Sequence, residues 1–210
     1  RLVESVDVKG FSSDSVQIII NAKLPVFAVP YRTVYTIYGS GVIKIASAMN
    51  IEMEVPELPR FGVQFNIPDQ FSQMNWYGRG PQETYQDRKS GAAFGIYSGK
   101  VDDQIYPYIY PQENGNKTDV RWVEFRNEKG TGIKITGLPQ VDISARPYSD
   151  DVLEAATHNY QLPNMPFYSV QVDSKQRGVG GNNSWGLKPL EKYQLHQNLY
   201  SYSFLISPVE

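Results

Sequence analysis

The stretch RTVYTIYGSGVIKIASAM, residues 32–49, decides how the rest of this chain is read. Residues 32–38 and 42–49 are rich in β-branched and aromatic side chains. Between them Gly39-Ser40-Gly41 provides glycine where a tight turn needs positive φ. This is the pattern of an antiparallel hairpin. The same texture recurs on both sides. Residues 16–24 (VQIIINAKL) form a β-branched run closed by Pro25, and residues 58–67 read as another strand. Residues 120–126 (VRWVEFR) and 132–136 (GIKIT) flank Asn127-Glu128-Lys129-Gly130, a second hairpin. Residues 141–148, 167–173 and 200–206 complete the strand set. One helix is expected, over residues 151–158, capped by Ser149 or Asp150 and ended before Pro163. Many short strands with very little helix predict an all-β, antiparallel sandwich, and 210 residues suit a single domain over 1–210.

Composition narrows the function. A net charge of −2 offers no electrostatic case for nucleic acid or an anionic membrane surface. No run of 18 apolar residues is long enough to span a bilayer as a helix. The first residues, Arg1-Leu2-Val3-Glu4, lack the basic and apolar regions of a signal peptide and read as the interior of a larger protein. With no cysteine, thiol chemistry and disulfides are excluded, and the compartment, cytoplasmic or periplasmic, is left open. Aromatic residues are abundant, with 15 Tyr, 9 Phe and 3 Trp. A broad apolar face with a polar tip serves a β-core and a sugar-binding cleft equally well.

Between residues 73 and 120 the texture changes: residues 74–83 and 106–116, rich in Gly, Pro and Tyr, read as irregular loops, where binding groups concentrate. Near the C-terminal end, Gly178-Val179-Gly180-Gly181-Asn182-Asn183-Ser184-Trp185-Gly186 delivers a tryptophan from a sharply turned, glycine-shaped loop. This run is not a dinucleotide fingerprint, because Asn183 stands where the last glycine belongs and no helix is expected to open there. His158 and His196 lie far apart without a cysteine, which argues against zinc. The pairs Asp102-Asp103 and Asp150-Asp151 lack the spacing of a calcium loop. A glycosidase needs two carboxyls roughly 5–10 Å apart across the scissile bond, and no pair stands out among the 22 acids. From residue chemistry alone the chain is a β-rich binding or accessory domain.

Three motifs in series add to this reading. They are Trp76-Tyr77-Gly78-Arg79-Gly80-Pro81-Gln82-Glu83-x-Tyr85-x-Asp87-Arg88, then Pro111-Gln112-Glu113-Asn114-Gly115, then the loop ending at Trp185. Together they resemble the C-terminal small-chain segment, domain 5, of the β-galactosidases of glycoside hydrolase family 2. The resemblance implies a β-supersandwich of the galactose-mutarotase-like type, packed beside a catalytic TIM barrel that these 210 residues do not contain. The family's two catalytic glutamates belong to that barrel, as do its Mg and Na sites to other domains. No catalytic residue and no cofactor are therefore expected here, and the segment alone is expected to be inactive. The residue that carries over is Trp185, whose indole stacks on the aglycone sugar of a β-galactoside such as lactose. The family often has acids where this chain has Asn182 and Asn183. Asn183, Glu113 and Asn114 are further candidates for contact with substrate. Arg79, Glu83, Asp87 and Arg88 are expected to form an ion network holding the loops, with Arg121 joining Glu113. Two alternatives share the fold class: a stand-alone aldose 1-epimerase, with His158 near Glu154 as its acid–base pair, and an independent carbohydrate-binding module.

Overall fold

In the computed structural model, which describes residues 1–181, 183 and 185–210, the strands are β1 (Leu2–Ser12), β2 (Ser15–Leu24), β3 (Val29–Tyr38), β4 (Ile43–Asn50), β5 (Arg60–Pro68), β6 (Gln73–Gly80), β7 (Ala93–Lys100), β8 (Lys117–Arg126), β9 (Gly132–Arg146), β10 (Phe167–Gln176) and β11 (Leu199–Val209). All pairings among them are antiparallel. The expected hairpin is β3–β4, with Tyr35 opposite Ile45 and Gly41 turning at φ 83°. The Asn127–Gly130 turn joins β8 to β9, with Gly130 at φ 88°.

The sheet runs in the order β1-β2-β3-β4-β11-β9-β8-β6-β7. β9 is its branch point. Its first half pairs with β11, from Gly132 to Leu138, and its second half pairs with β10, from Asp142 to Arg146. β10 in turn pairs with β5. Between the halves, Thr136 and Val141 of β9 face Trp122 and Val120 of β8, so residues 137–140 bulge out of register. The bulge lets β9 leave one layer and enter the other.

The β5–β10 pair covers the sheet. Phe61 of β5 packs on Tyr31, Tyr200 and Tyr202, and the Tyr202 hydroxyl donates to the Val172 carbonyl at 2.8 Å. Between the layers lies a core of Met74, Trp76, Val120, Val123, Phe125, Ile135, Ile143, Val170, Val172 and Phe204, all essentially closed to solvent. Closing such side chains off contributes about 1.5–3 kcal/mol each before the entropy cost of ordering the chain.

Three sequence expectations are corrected. Residues 74–83 are not loop, since β6 runs through them to Gly80, whereas residues 106–116 hold no helix or strand, as expected. The inward positions of β6 are Met74, Trp76, Gly78 and Gly80. A Cβ on Gly78 would come 2.9 Å from the Cα of Val120, and one on Gly80 would come 2.8 Å from the Tyr97 ring. Half of the inward residues are thus glycine, which hides the alternation. Residues 132–136 and 141–148 belong to one strand, β9. The helix α1 (Asp150–Ala155) is shorter than expected and leaves out His158; Ser149 caps it by accepting the Val152 N–H at 3.4 Å. Finally, β1 is a strand where the sequence raises no strand expectation, since neither of its faces is buried.

Candidate functional site

The loop after β10 carries Trp185 and is held at its base by the segment after β6. The Asp87 carboxylate accepts the N–H groups of Val179 at 3.1 Å and Gly180 at 2.8 Å, and Arg88 Nη2 donates to the Gly180 carbonyl at 2.9 Å. A Cβ on Gly178 would lie 2.7 Å from the Asp87 carboxylate, so only glycine lets the two approach. Gly180 and Gly181 then turn the chain at φ 68° and 82°. Beyond them Asn183 Oδ1 accepts the Trp185 N–H at 3.0 Å, a side chain closing a turn, and Gly186 at φ 76° leads the chain away. Trp185 is left 92% exposed. Asn182 and Ser184 of this motif lie outside the described residues.

The segment after β6 is fixed in turn to the one before β8. The Thr84 N–H donates to the Asn116 carbonyl at 2.7 Å, Asn116 Nδ2 returns a bond to the Thr84 carbonyl at 2.9 Å, and the Thr118 N–H donates to Thr84 Oγ1 at 2.8 Å. These groups are buried, and each would be costly if left unpaired. The Glu83 carboxylate accepts from the Tyr108 hydroxyl at 2.5 Å, the Tyr85 hydroxyl at 3.0 Å and the Gly115 N–H at 2.8 Å. Burial works to raise its pKa, but these bonds and the Lys117 charge outweigh it and hold the carboxyl below the ordinary range.

The expected ion network is therefore several separate devices. Arg79 pairs with Asp119 at 2.6 Å, and Lys89 joins the same carboxylate at 2.7 Å. Glu83, Asp87 and Arg88 hold loops in the ways just given. Arg121 does not meet Glu113 but lies over the Phe94 ring, 5.7 Å from its centre. Glu113 instead bridges two arginines, Arg60 and, at 3.2 Å, Arg146. Asn114 is buried with its amide copying backbone: it accepts the Tyr106 N–H at 2.8 Å and donates to the Tyr106 carbonyl at 2.9 Å. His158 is exposed and stacked on Tyr160, and it forms no hydrogen bond to Glu154. That removes the one local acid–base pair an epimerase reading had to offer.

Two features escaped the sequence. The first is a buried polar seam where β9 meets β10, comprising Asp142, Arg146, Gln171 and Asp173. Burial pushes the Asp142 carboxyl up to about 6 and that of Asp173 up to about 7. The second is a cavity of about 610 Å³ whose lining includes Trp76, Glu83, Tyr106, Tyr108 and Lys117. Straight alternation back from Val123 would send Arg121 and Asp119 inward. The irregular register between Lys117 and Trp122 instead brings Val120 and Lys117 in. Among the described residues no group of three or more His, Asp or Glu side chains is placed to hold a metal, and no helix is long and apolar enough to cross a membrane.

Comparison with known proteins agrees with the motif series. The family model described as "Beta galactosidase small chain" matches residues 3–206. A β-galactosidase of Priestia megaterium is 44% identical over 176 residues, which is 83% of this chain and 17% of that protein. One from Halalkalibacterium halodurans is 36% identical over 165 residues, 77% of this chain and 16% of that protein. The chain thus spans about a sixth of the length of these relatives. Among solved structures, a GalM/aldose epimerase homologue of C. elegans aligns with 97% of this chain and 68% of its own at a TM-score of 0.48 and 11% identity.

Proposed function

The chain belongs to the β-galactosidase small-chain family, and from that premise we propose that it is the non-catalytic C-terminal domain of a β-galactosidase that cleaves terminal β-D-galactosides such as lactose. In this reading a catalytic domain in the same polypeptide binds the galactose unit, and Trp185 offers its indole to the sugar or other group that leaves. The observation that carries it is the exposure of Trp185 on a loop whose base is fixed by Asp87 and Arg88. A large aromatic held out into solvent on a braced loop suits a partner surface better than a core. An indole face matches the apolar C–H face of a pyranose, while the rim hydroxyls stay free for polar partners.

The domain itself supplies no acid and nucleophile in this scheme. Its enclosed carboxyls, Asp142 and Asp173, sit in the polar seam between β9 and β10, and Asp142 accepts Gln86 Nε2 at 2.9 Å. The test is hydrolysis by the full-length enzyme carrying Trp185→Ala. Lactose turnover should fall while turnover of a galactoside with a small leaving group holds. Equal behaviour of both substrates would overturn the stacking role.

A further inference from the structure

We propose that the cavity bounded by Trp76, Glu83, Tyr106, Tyr108 and Lys117 is a saccharide site belonging to this domain itself, taking one or two neutral sugar units whose hydroxyls accept from the Lys117 ammonium. This goes beyond the role given to Trp185 and does not depend on it.

Lys117 is the main observation. It starts β8 facing inward and is only 1% exposed. Its side chain lines the cavity and its ammonium lies 5.3 Å from the centre of the Trp76 ring. Among the described residues it has no carboxylate within 4.0 Å and no hydrogen bond, although a buried ammonium carries three donors. The nearest acid that acts on it, Glu83, already has both oxygens occupied by Tyr108, Tyr85 and Gly115. Desolvation, only partly offset by Glu83, lowers the Lys117 pKa to about 8. An unpaired charged donor pointed into a cavity is the group that a ligand completes.

The rest of the lining sets the ligand class. Alongside the single ammonium stand two acids, Glu83 and Asp103, so an anionic ligand would meet net opposing charge. Gln82, Gln104 and Ser98 add neutral groups that both donate and accept. Ile105, Tyr106 and Tyr108 supply an apolar wall, with the two tyrosine rings meeting edge to face at 4.9 Å. The Asn114 amide holds the Tyr106 backbone at both its N–H and its carbonyl, and Glu83 holds the Tyr108 hydroxyl, so the base of this wall is set before anything binds. Scattered hydroxyl partners, a preset aromatic wall and a volume of about 610 Å³ describe a pocket for a small sugar rather than a phosphate or a fatty chain.

The test is an acetylation footprint of the chain, read lysine by lysine by mass spectrometry, with galactose, glucose and lactose as probes. Trace acetic anhydride at pH 7.5 should label Lys117 through the cavity mouth; no labelling at all would mean that the ammonium is closed off from the cavity and would overturn the proposal. At least one neutral sugar should suppress that labelling saturably, by about fivefold or more at tens of millimolar, leaving exposed lysines such as Lys188 unchanged. Tyr106→Ala should raise the half-protecting concentration at least severalfold, whereas Trp185→Ala should leave it unchanged, which separates this site from the aglycone role. In calorimetry Lys117→Met should lose the heat of binding while retaining the fold. Failure of all three sugars to protect Lys117 at about 100 mM overturns the proposal. Protection by galacturonate alone would overturn the neutral class, and protection that Trp185→Ala abolishes would assign the effect to the loop.

Discussion

Asp87 and Gly180, 93 residues apart in sequence, are joined by a 2.8 Å hydrogen bond from the Gly180 N–H to the Asp87 carboxylate. One motif of the chain thereby positions another. Asp87 and Arg88, in the segment that follows β6, form the clamp for the loop that carries Trp185. Arg88 closes the clamp on the carbonyl side of the same residue.

Breaking this clamp should loosen the loop without unfolding the domain. Asp87→Ala removes an acceptor from two N–H groups, one of them partly exposed, so the expected loss is about 1–2 kcal/mol. Gly178→Ala should do similar harm by another route, since its Cβ would lie 2.7 Å from the same carboxylate. Limited trypsin digestion gives the check, through the rate of cutting after Arg177, at the base of the loop. Faster cutting there, with other sites unchanged, is the expected result. Unaltered rates in both variants would mean that the clamp does not restrain the loop.

The Glu113 carboxylate separates two uses for one residue. If its work is to bridge Arg60 and Arg146, Glu113→Gln should lower stability by about 1–3 kcal/mol, because Arg146 is buried and loses a charged partner while the site itself is partly wet. Substrate affinity of the full-length enzyme should then stay unchanged. A raised KM for lactose at unchanged melting temperature would instead place Glu113 at the substrate.

Stability should also depend on pH in two windows of opposite sign. Asp142 titrates at about 6 in the fold against 3.8 as the ordinary value, and Asp173 at about 7. The folded state keeps protons that the unfolded chain releases, so stability contributed by these groups is lost as pH rises from about 4 to 7. For Asp142 the shift of about two pH units amounts to about 3 kcal/mol. Lys117 acts the other way. With its pKa lowered from 10.5 to about 8, its burial penalty is present at neutral pH and is relieved as pH rises between those values. Urea midpoints from pH 4 to 10 should show the fall in the wild type and its reduction in Asp142→Asn. Lys117→Met should be the more stable protein at pH 7, by up to about 3 kcal/mol, and should lose the rise above pH 8. A Lys117→Met variant less stable than wild type at pH 7 contradicts this sign.

Most strands could be read from the sequence because they are β-branched and aromatic runs bounded by turn residues. The hairpin at Gly39–Gly41 and the turn at Gly130 are local events, written in adjacent residues. What the sequence hid was set by distant packing. Gly78 and Gly80 occupy inward positions of β6 because Val120 and Tyr97 press on them, and nothing adjacent in sequence announces those neighbours. The partners of Glu113 follow the same rule: Arg60 comes from β5 and Arg146 from the end of β9, both strands that pair with β10. Lys117 is the extreme case, a lysine turned inward by an irregular register that no periodicity predicts. Trp185 was legible for the opposite reason, since its loop is built from consecutive glycines and a side-chain turn.

The last prediction concerns Trp185 and needs two measurements on the same variant. Removing a stacking face worth about 1–2 kcal/mol should weaken lactose binding by roughly 5- to 30-fold. Galactosides with a small leaving group should change far less, since they place little against the indole. Galactose transfer to an acceptor sugar should fall with lactose, because the acceptor would use the same face. Trp185→Phe should keep part of the effect, as a smaller ring still offers a surface. The stability measurement decides what these kinetics mean. Trp185 is 92% exposed, so its loss should leave the melting temperature nearly unchanged, whereas a buried Trp→Ala costs about 3–5 kcal/mol. Trp76, which is fully buried, provides that contrast within the same domain. If Trp185→Ala destabilises the protein as Trp76→Ala does, and treats lactose and small galactosides alike, the indole packs against a neighbouring domain as structure and does not hold the sugar.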